Sequence, residues 1–232
     1  MISLGLDPSL SGFGWCIHDS SVAGPGRVVA KGVEKTSSKT VFIRRYTDLR
    51  DLVARLLRDH PEVEAVGVES TVFGEQWSPG LYGLFVMVNE AVYLARKDVV
   101  HFDPGTVKML TKVDPAIRRG RMTKTDMIEA ARADTGVGRW NHNEADAYHV
   151  ARFAARFWEF LKKEIVETDL TPAEYRAFAR VHTFERGQKA GRTEKTGAAF
   201  KEGQRFFRFS ELPLNVDAAP TGPARSHPPR AS

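Results

Sequence analysis

Three carboxylates in this chain stand where the hydropathy pattern has no place for a charge. Asp7 closes a run in which Ile2, Leu4 and Leu6 alternate with Ser3, Gly5 and Asp7, so it ends a strand on a face otherwise built of small residues. Glu69 repeats the arrangement. Alternation from Ala65 puts Gly67 and Glu69 on one face and Val66 and Val68 on the other. The third acid, Asp146, lies four residues before Val150 in a helical stripe continued by Ala154, Phe157 and Leu161.

A lone acid in such a place is usually a helix cap, a turn residue or the partner of a buried arginine. Three inward-facing acids call for a shared counter-charge, because an unpaired buried carboxylate is costly or neutralises by shifting its pKa. A divalent cation supplies that charge. Cys16 is the only cysteine and no paired histidines accompany it, so the hard oxygen donors point to Mg²⁺ or Mn²⁺ rather than zinc. Asn143, three residues before Asp146 on the same face, has two roles open to it: a neutral oxygen ligand, or the cap of the helix. His149 is also near that face, as a structural histidine or a proton-transfer group, whereas Glu144 points away and reads as solvated.

Cations crowd the approach to this helix: Lys108, Lys112, Arg118, Arg119, Arg121 and Lys124. From Pro104 to Arg139 there are eight basic and four acidic residues, which alone describes a solvated loop but beside a metal site describes a groove for a phosphate backbone.

The elements that must position these groups follow from periodicity. Strands are expected at 1–7, 13–18 and 27–34, joined by glycine-rich turns as an antiparallel meander. A helix at about 41–59, a strand at 64–70, a helix at 79–97, a strand at 99–102, a helix opened by Thr123 and Asp126, and a last long helix at about 143–167 complete an α/β catalytic domain over 1–168. The helix at 79–97 is apolar almost all round, which fits a central core helix or a self-association face. Residues 169–217 read as a basic and aromatic extension with one short helix begun by Thr171-Pro172-Ala173-Glu174, and 218–232 as a proline-rich disordered tail.

Charge placement agrees with that division. The 232-residue chain carries a net charge of +5, yet residues 1–170 hold 23 basic and 23 acidic side chains, so the excess lies in the last quarter. With 42% hydrophobic residues the chain can build a core, which excludes global disorder. Neither a signal-peptide pattern nor an apolar span long enough for a membrane is seen, and the expected location is the cytoplasm, at the nucleoid or in a host cell for a viral source.

The ordered motifs resemble the RuvC family of Holliday junction resolvases. Gly5-Leu6-Asp7-Pro8 with Gly12-Phe13-Gly14 is similar to the family's first-strand Gly-Ile-Asp-Pro motif and its Gly-Tyr-Gly continuation. Val66-Gly67-Val68-Glu69 resembles the strand ending in the second acid, and Asn143-Glu144-Ala145-Asp146-Ala147 resembles an Asp-Ala-Ala-Asp-Ala helix start. Pro104, Lys108 and Lys124 match the family's basic segment. The resemblance covers about residues 1–160. It departs from the family at Asn143, where the fourth ligand is usually Asp or His, and in the long extension, which looks more like phage-type relatives.

The resemblance implies an RNase H-like fold: a five-stranded mixed sheet with helices on both faces, dimerised through the 79–97 helix and making paired cuts in four-way DNA junctions. It further implies Asp7, Glu69, Asp146 and Asn143 as ligands of two Mg²⁺ or Mn²⁺ ions, Lys124 at the scissile phosphate and Lys108 on the backbone. In the extension, Phe200 to Phe209 interleaves aromatics with cations. Arg205 and Arg208 then face DNA while the rings stack on unpaired bases or dock on the catalytic domain. Competing readings are an RNase H-like nuclease for flaps or other branched nucleic acids, a junction-binding protein without catalysis, and an actin-like ATPase or sugar kinase, which needs a second phosphate loop that the chain does not show.

Overall fold

The computed structural model describes residues 1–70, 79–111, 122–175, 177–178 and 206–207. Strands β1 (Ile2–Asp7), β2 (Phe13–Asp19) and β3 (Val28–Glu34) form the expected antiparallel meander. β4 (Ala65–Glu69) and β5 (Asp98–Phe102) continue the sheet in parallel on the other side of β1. The extension adds to the five expected strands. Phe206–Phe207 forms β6, antiparallel to β5 through main-chain pairing with Val100 and Val99, and the order is β3-β2-β1-β4-β5-β6.

Helices α1 (Phe42–Asp59) and α2 (Pro79–Leu94) cover one face. There Leu4, Leu6, Ile17, Val66 and Val68 meet Leu49, Val53, Leu56, Leu84 and Val88 in one buried cluster. Helices α3 (Pro104–Thr111), α4 (Lys124–Thr135) and α5 (His142–Leu161) lie on the other face, where Val100 and Phe102 pack with Met127, Phe153 and Phe157. Strand alternation assigns the two faces: the bulky residues of β1 and β4 point toward α1 and α2, and their small residues toward α5.

Two elements differ from the sequence reading. α3 was expected as loop, but Asp103 accepts from the Thr106 N–H (2.8 Å) and hydroxyl (2.6 Å) and Pro104 takes the first helical position. α5 ends at Leu161 rather than near 167. Lys163 adopts φ 62° and the Glu164 N–H donates to the Glu159 carbonyl at 2.9 Å, a helix stop made without glycine. α2, read as a central core helix or a self-association face, is buried against α1 and leaves Val86 and Leu94 exposed. No helix among the described residues is long and apolar enough to cross a membrane.

Candidate active site

β1 and β4 run parallel with Leu6 beside Val68, so Asp7 and Glu69 are the next residues on neighbouring strands at one end of the sheet. The third acid arrives from above, on α5. That helix can lie directly on the strands because Gly5 and Gly67 have no side chains. A Cβ on Gly5 would stand 2.5 Å from the Ala151 nitrogen, and one on Gly67 would stand 2.8 Å from both the Val150 carbonyl and the Ala154 Cβ. Ser3, on the same face, donates its hydroxyl to the Ala151 carbonyl at 2.9 Å. The small residues beside Asp7 thus leave no open space around it; the helix backbone fills that space and carries Asp146 to the other two acids.

One ligand oxygen from each of Asp7, Glu69 and Asp146 lies within 4.8 Å of the others, and each residue is half-buried. Burial, then the Asp146 charge, pushes Asp7 up to about 7, against the pull of a hydrogen bond with Glu69 and of Lys124. Burial and the charges of Asp7 and Asp146 hold Glu69 well above the ordinary carboxylate range. Burial likewise pushes Asp146 up to about 6, although Lys108 and Lys124 pull it down. Three half-buried acids that repel one another fit a hard divalent cation; among the described residues no histidine or cysteine joins them.

Lys108 and Lys124 both act on the cluster. The first, on α3, acts on Glu69 and Asp146, and the second, opening α4, acts on Asp7 and Asp146. Lys124 is placed by the Thr123–Asp126 capping box, which the sequence reading anticipates. Lys112, Arg118, Arg119, Arg121, Arg205 and Arg208 lie outside the described residues.

The start of α5 corrects two expectations. Asn141, not Asn143, caps the helix: its side chain accepts the Asn143 N–H at 3.0 Å, and Glu144 accepts the Asn141 N–H at 2.8 Å. Glu144 is therefore not simply solvated. It also pairs with Lys31 at 2.7 Å, and Lys31 in turn lies 4.7 Å from the centre of the Trp140 ring. Asn143 donates its side-chain amide to the Gly12 carbonyl at 2.6 Å, fastening α5 to the β1–β2 turn. His149 stays away from the acids. It is fully buried, its Nε2 lies 3.0 Å from the Met127 carbonyl of α4, and burial pushes it down to about 3, so it is neutral and structural.

One residue near the site was missed. Arg45 is buried and donates to the Leu10 carbonyl (2.6 Å) and the Thr36 hydroxyl (2.8 Å), bracing the turn that follows Asp7. Its signal was available: Arg45 stands four residues before Leu49 in the apolar stripe of α1, the same anomaly that singled out Asp146, with a cation in place of an acid.

The chain, a mixed sheet with helical layers on both faces, has the RNase H-like α/β fold. Its solved structural neighbours include RuvC of T. thermophilus in complex with a Holliday junction substrate, at 24% identity and TM-score 0.55, and a second Thermus thermophilus RuvC structure at 23% and 0.52. Both likenesses span 65% of this chain and 90% of the other. No protein-family model and no curated protein matches the sequence.

Proposed function

We propose that this chain is a metal-dependent endonuclease that resolves four-way DNA junctions by paired symmetric nicks. The observation carrying this reading is the convergence of Asp7, Glu69 and Asp146 at the ends of β1 and β4 and on α5, flanked by Lys108 and Lys124. Support for the substrate comes from the fold shared with a RuvC bound to a Holliday junction.

Asp7, Glu69 and Asp146 are the residues to hold Mg²⁺ or Mn²⁺, with Asn143 as a neutral neighbour one helical turn away. When bound, the metal supplies Lewis-acid stabilisation of the phosphoryl oxygens and a more acidic water. Lys124 stabilises negative charge developing at the scissile phosphate, and Lys108 positions the phosphate backbone. The glycine seam under α5 fixes the acids relative to each other before substrate arrives, so the chain spends no substrate binding energy on assembling them. Paired nicks need two sites. α2 is the proposed dimer element, with Glu90 its only charged residue and Val86 and Leu94 exposed. The catalytic unit is assigned to 1–168 and the basic extension to substrate holding.

The test is a comparison of substrates with purified protein and Mg²⁺ or Mn²⁺. A four-way junction should be nicked symmetrically, and a linear duplex and a Y-flap much more slowly. Equal cutting of all three would replace junction resolution with a general branched-DNA or flap nuclease activity, and junction binding without any cutting would leave only a binding protein.

A further inference from the structure

β3 runs in the same direction as β1, and Glu34 at its end pairs with Phe13, next to the Gly14 that faces Asp7. The connection from β3 and the start of α1 therefore lie at the acid end of the sheet, on the face opposite α5. From Lys35 to Thr47 the chain has four cations and no carboxylate. Lys35 and Lys39 are exposed and form no ion pair among the described residues. Within this basic segment three consecutive apolar side chains, Val41, Phe42 and Ile43, are 68%, 58% and 63% exposed, whereas further along α1 Leu49, Leu52, Val53, Leu56 and Leu57 are buried.

The exposed ring is held in place. Phe42 stacks on Tyr46 with centroids 6.1 Å apart, and the Arg45 guanidinium lies 5.7 Å from the Phe42 ring. Arg45 is itself tied to the turn after Asp7 through Leu10 and Thr36, and Thr36 also donates to the Leu10 carbonyl. Arg44 is paired with Asp48 at 2.9 Å and Arg45 is buried, so the exposed cations left for a ligand are Lys35 and Lys39. A braced aromatic with apolar neighbours, in the same segment as these two lysines, offers a face for a base and charge for its phosphates. Intact duplex presents phosphates but no open base face; a branch point presents both.

We infer, resting on the junction-nuclease reading above, that Phe42 and Ile43 form a stacking platform for bases unpaired at a branch point, with Lys35 and Lys39 holding the adjoining phosphates. The experiment measures affinity of the full chain for a four-way junction and for a linear duplex of the same arm sequence, in EDTA so that nothing is cut. Compared variants are F42A/I43A, Phe42→Trp and K35A/K39A. F42A/I43A should weaken junction binding about tenfold and leave duplex binding within about twofold, while Phe42→Trp retains junction affinity. K35A/K39A should weaken both and flatten the salt dependence. If wild type prefers the junction and F42A/I43A binds it equally well, the inference fails and the nuclease reading stands. If wild type itself shows no preference for the junction, both fall. A change of oligomeric state in F42A/I43A, seen by light scattering, would assign the patch to self-association and overturn the inference.

Discussion

The Asn143 amide and the Gly12 carbonyl, 131 residues apart in sequence, meet at 2.6 Å and join the first turn of α5 to the turn that follows Asp7. This bond ties the element carrying Asp146 to the strand carrying Asp7. Asn143→Ala removes the donor and leaves a carbonyl short of a partner, which should cost about 1 kcal/mol of stability. Cleavage should fall by about tenfold or more at saturating metal, because misplacing a reacting group costs more than losing a neutral hydrogen bond. Urea denaturation and single-turnover cleavage check the two effects separately.

The raised carboxyl pKa values set a pH dependence for the metal-free protein. An acid whose folded pKa lies above its unfolded value binds more protons in the native state, so stability falls as pH rises from the unfolded value near 4 to the folded value. Asp7 at about 7 and Asp146 at about 6 place this loss between about pH 4 and 7, and Glu69, held well above the ordinary carboxylate range, adds to it with the same sign. Thermal melts in EDTA should show Tm dropping from pH 5 to pH 8. Mn²⁺ should restore it at pH 8 and do little at pH 5, where the acids are already neutralised.

Asp7→Asn separates function from stability. It removes one charge from the repelling trio, so the metal-free variant should be more stable than wild type at pH 8 by about 1–2 kcal/mol, with a flatter pH profile. Junction affinity in a gel-shift assay should be kept, and cleavage should drop by about a thousandfold or more. An unchanged melting curve with lost cleavage would argue against the mutual repulsion of these acids.

Gly67→Ala tests the seam under α5. Its new methyl group would stand 2.8 Å from the Val150 carbonyl and the Ala154 Cβ, both on a packed helix with no room to retreat. The expected loss is about 1–3 kcal/mol, measured by urea denaturation. Gly5→Ala should be worse, since its Cβ meets backbone atoms of Ala147 and Ala151.

Asp134 holds the far end of the same helix layer. It accepts from Arg27 (2.7 Å), Arg152 (2.7 Å) and the Tyr148 hydroxyl (2.6 Å). Asp134→Ala leaves two guanidinium groups and a phenol without their shared acceptor and should cost about 2 kcal/mol by urea denaturation, with cleavage by the folded fraction unchanged.

The acids were legible in the sequence because strands and helices have fixed periods: Asp7 and Glu69 violate a period of two, and Asp146 a period of 3.6. What periodicity does not carry was missed. The contacts of Asn143 and Glu144 depend on capping by Asn141 two residues earlier than expected, although Asn141-x-x-Glu144 is itself a capping pattern. The end of α5 is set by the left-handed backbone of Lys163, a residue type that otherwise favours helix. β6 is two residues paired through main chain, too short to leave a pattern. The role of Gly5 and Gly67 was half visible: their smallness could be read, but what filled the space could not.

All three acids sit inside regular elements, two at strand ends and one within a helix, and none is supplied by a loop. A cation entering this site orders no backbone, so its binding energy is free to offset charge repulsion. Of the connections that border the site, the turn closed by Gly12 is bonded to Asn143 and to Arg45 and belongs to the frame, whereas 37–41 makes no hydrogen bond to that frame among the described residues and can change in chemistry while the carboxylates stay in place. Choice of substrate and cleavage of the phosphodiester become separable traits, and a single carboxylate frame can serve nucleases with different tastes in branched DNA.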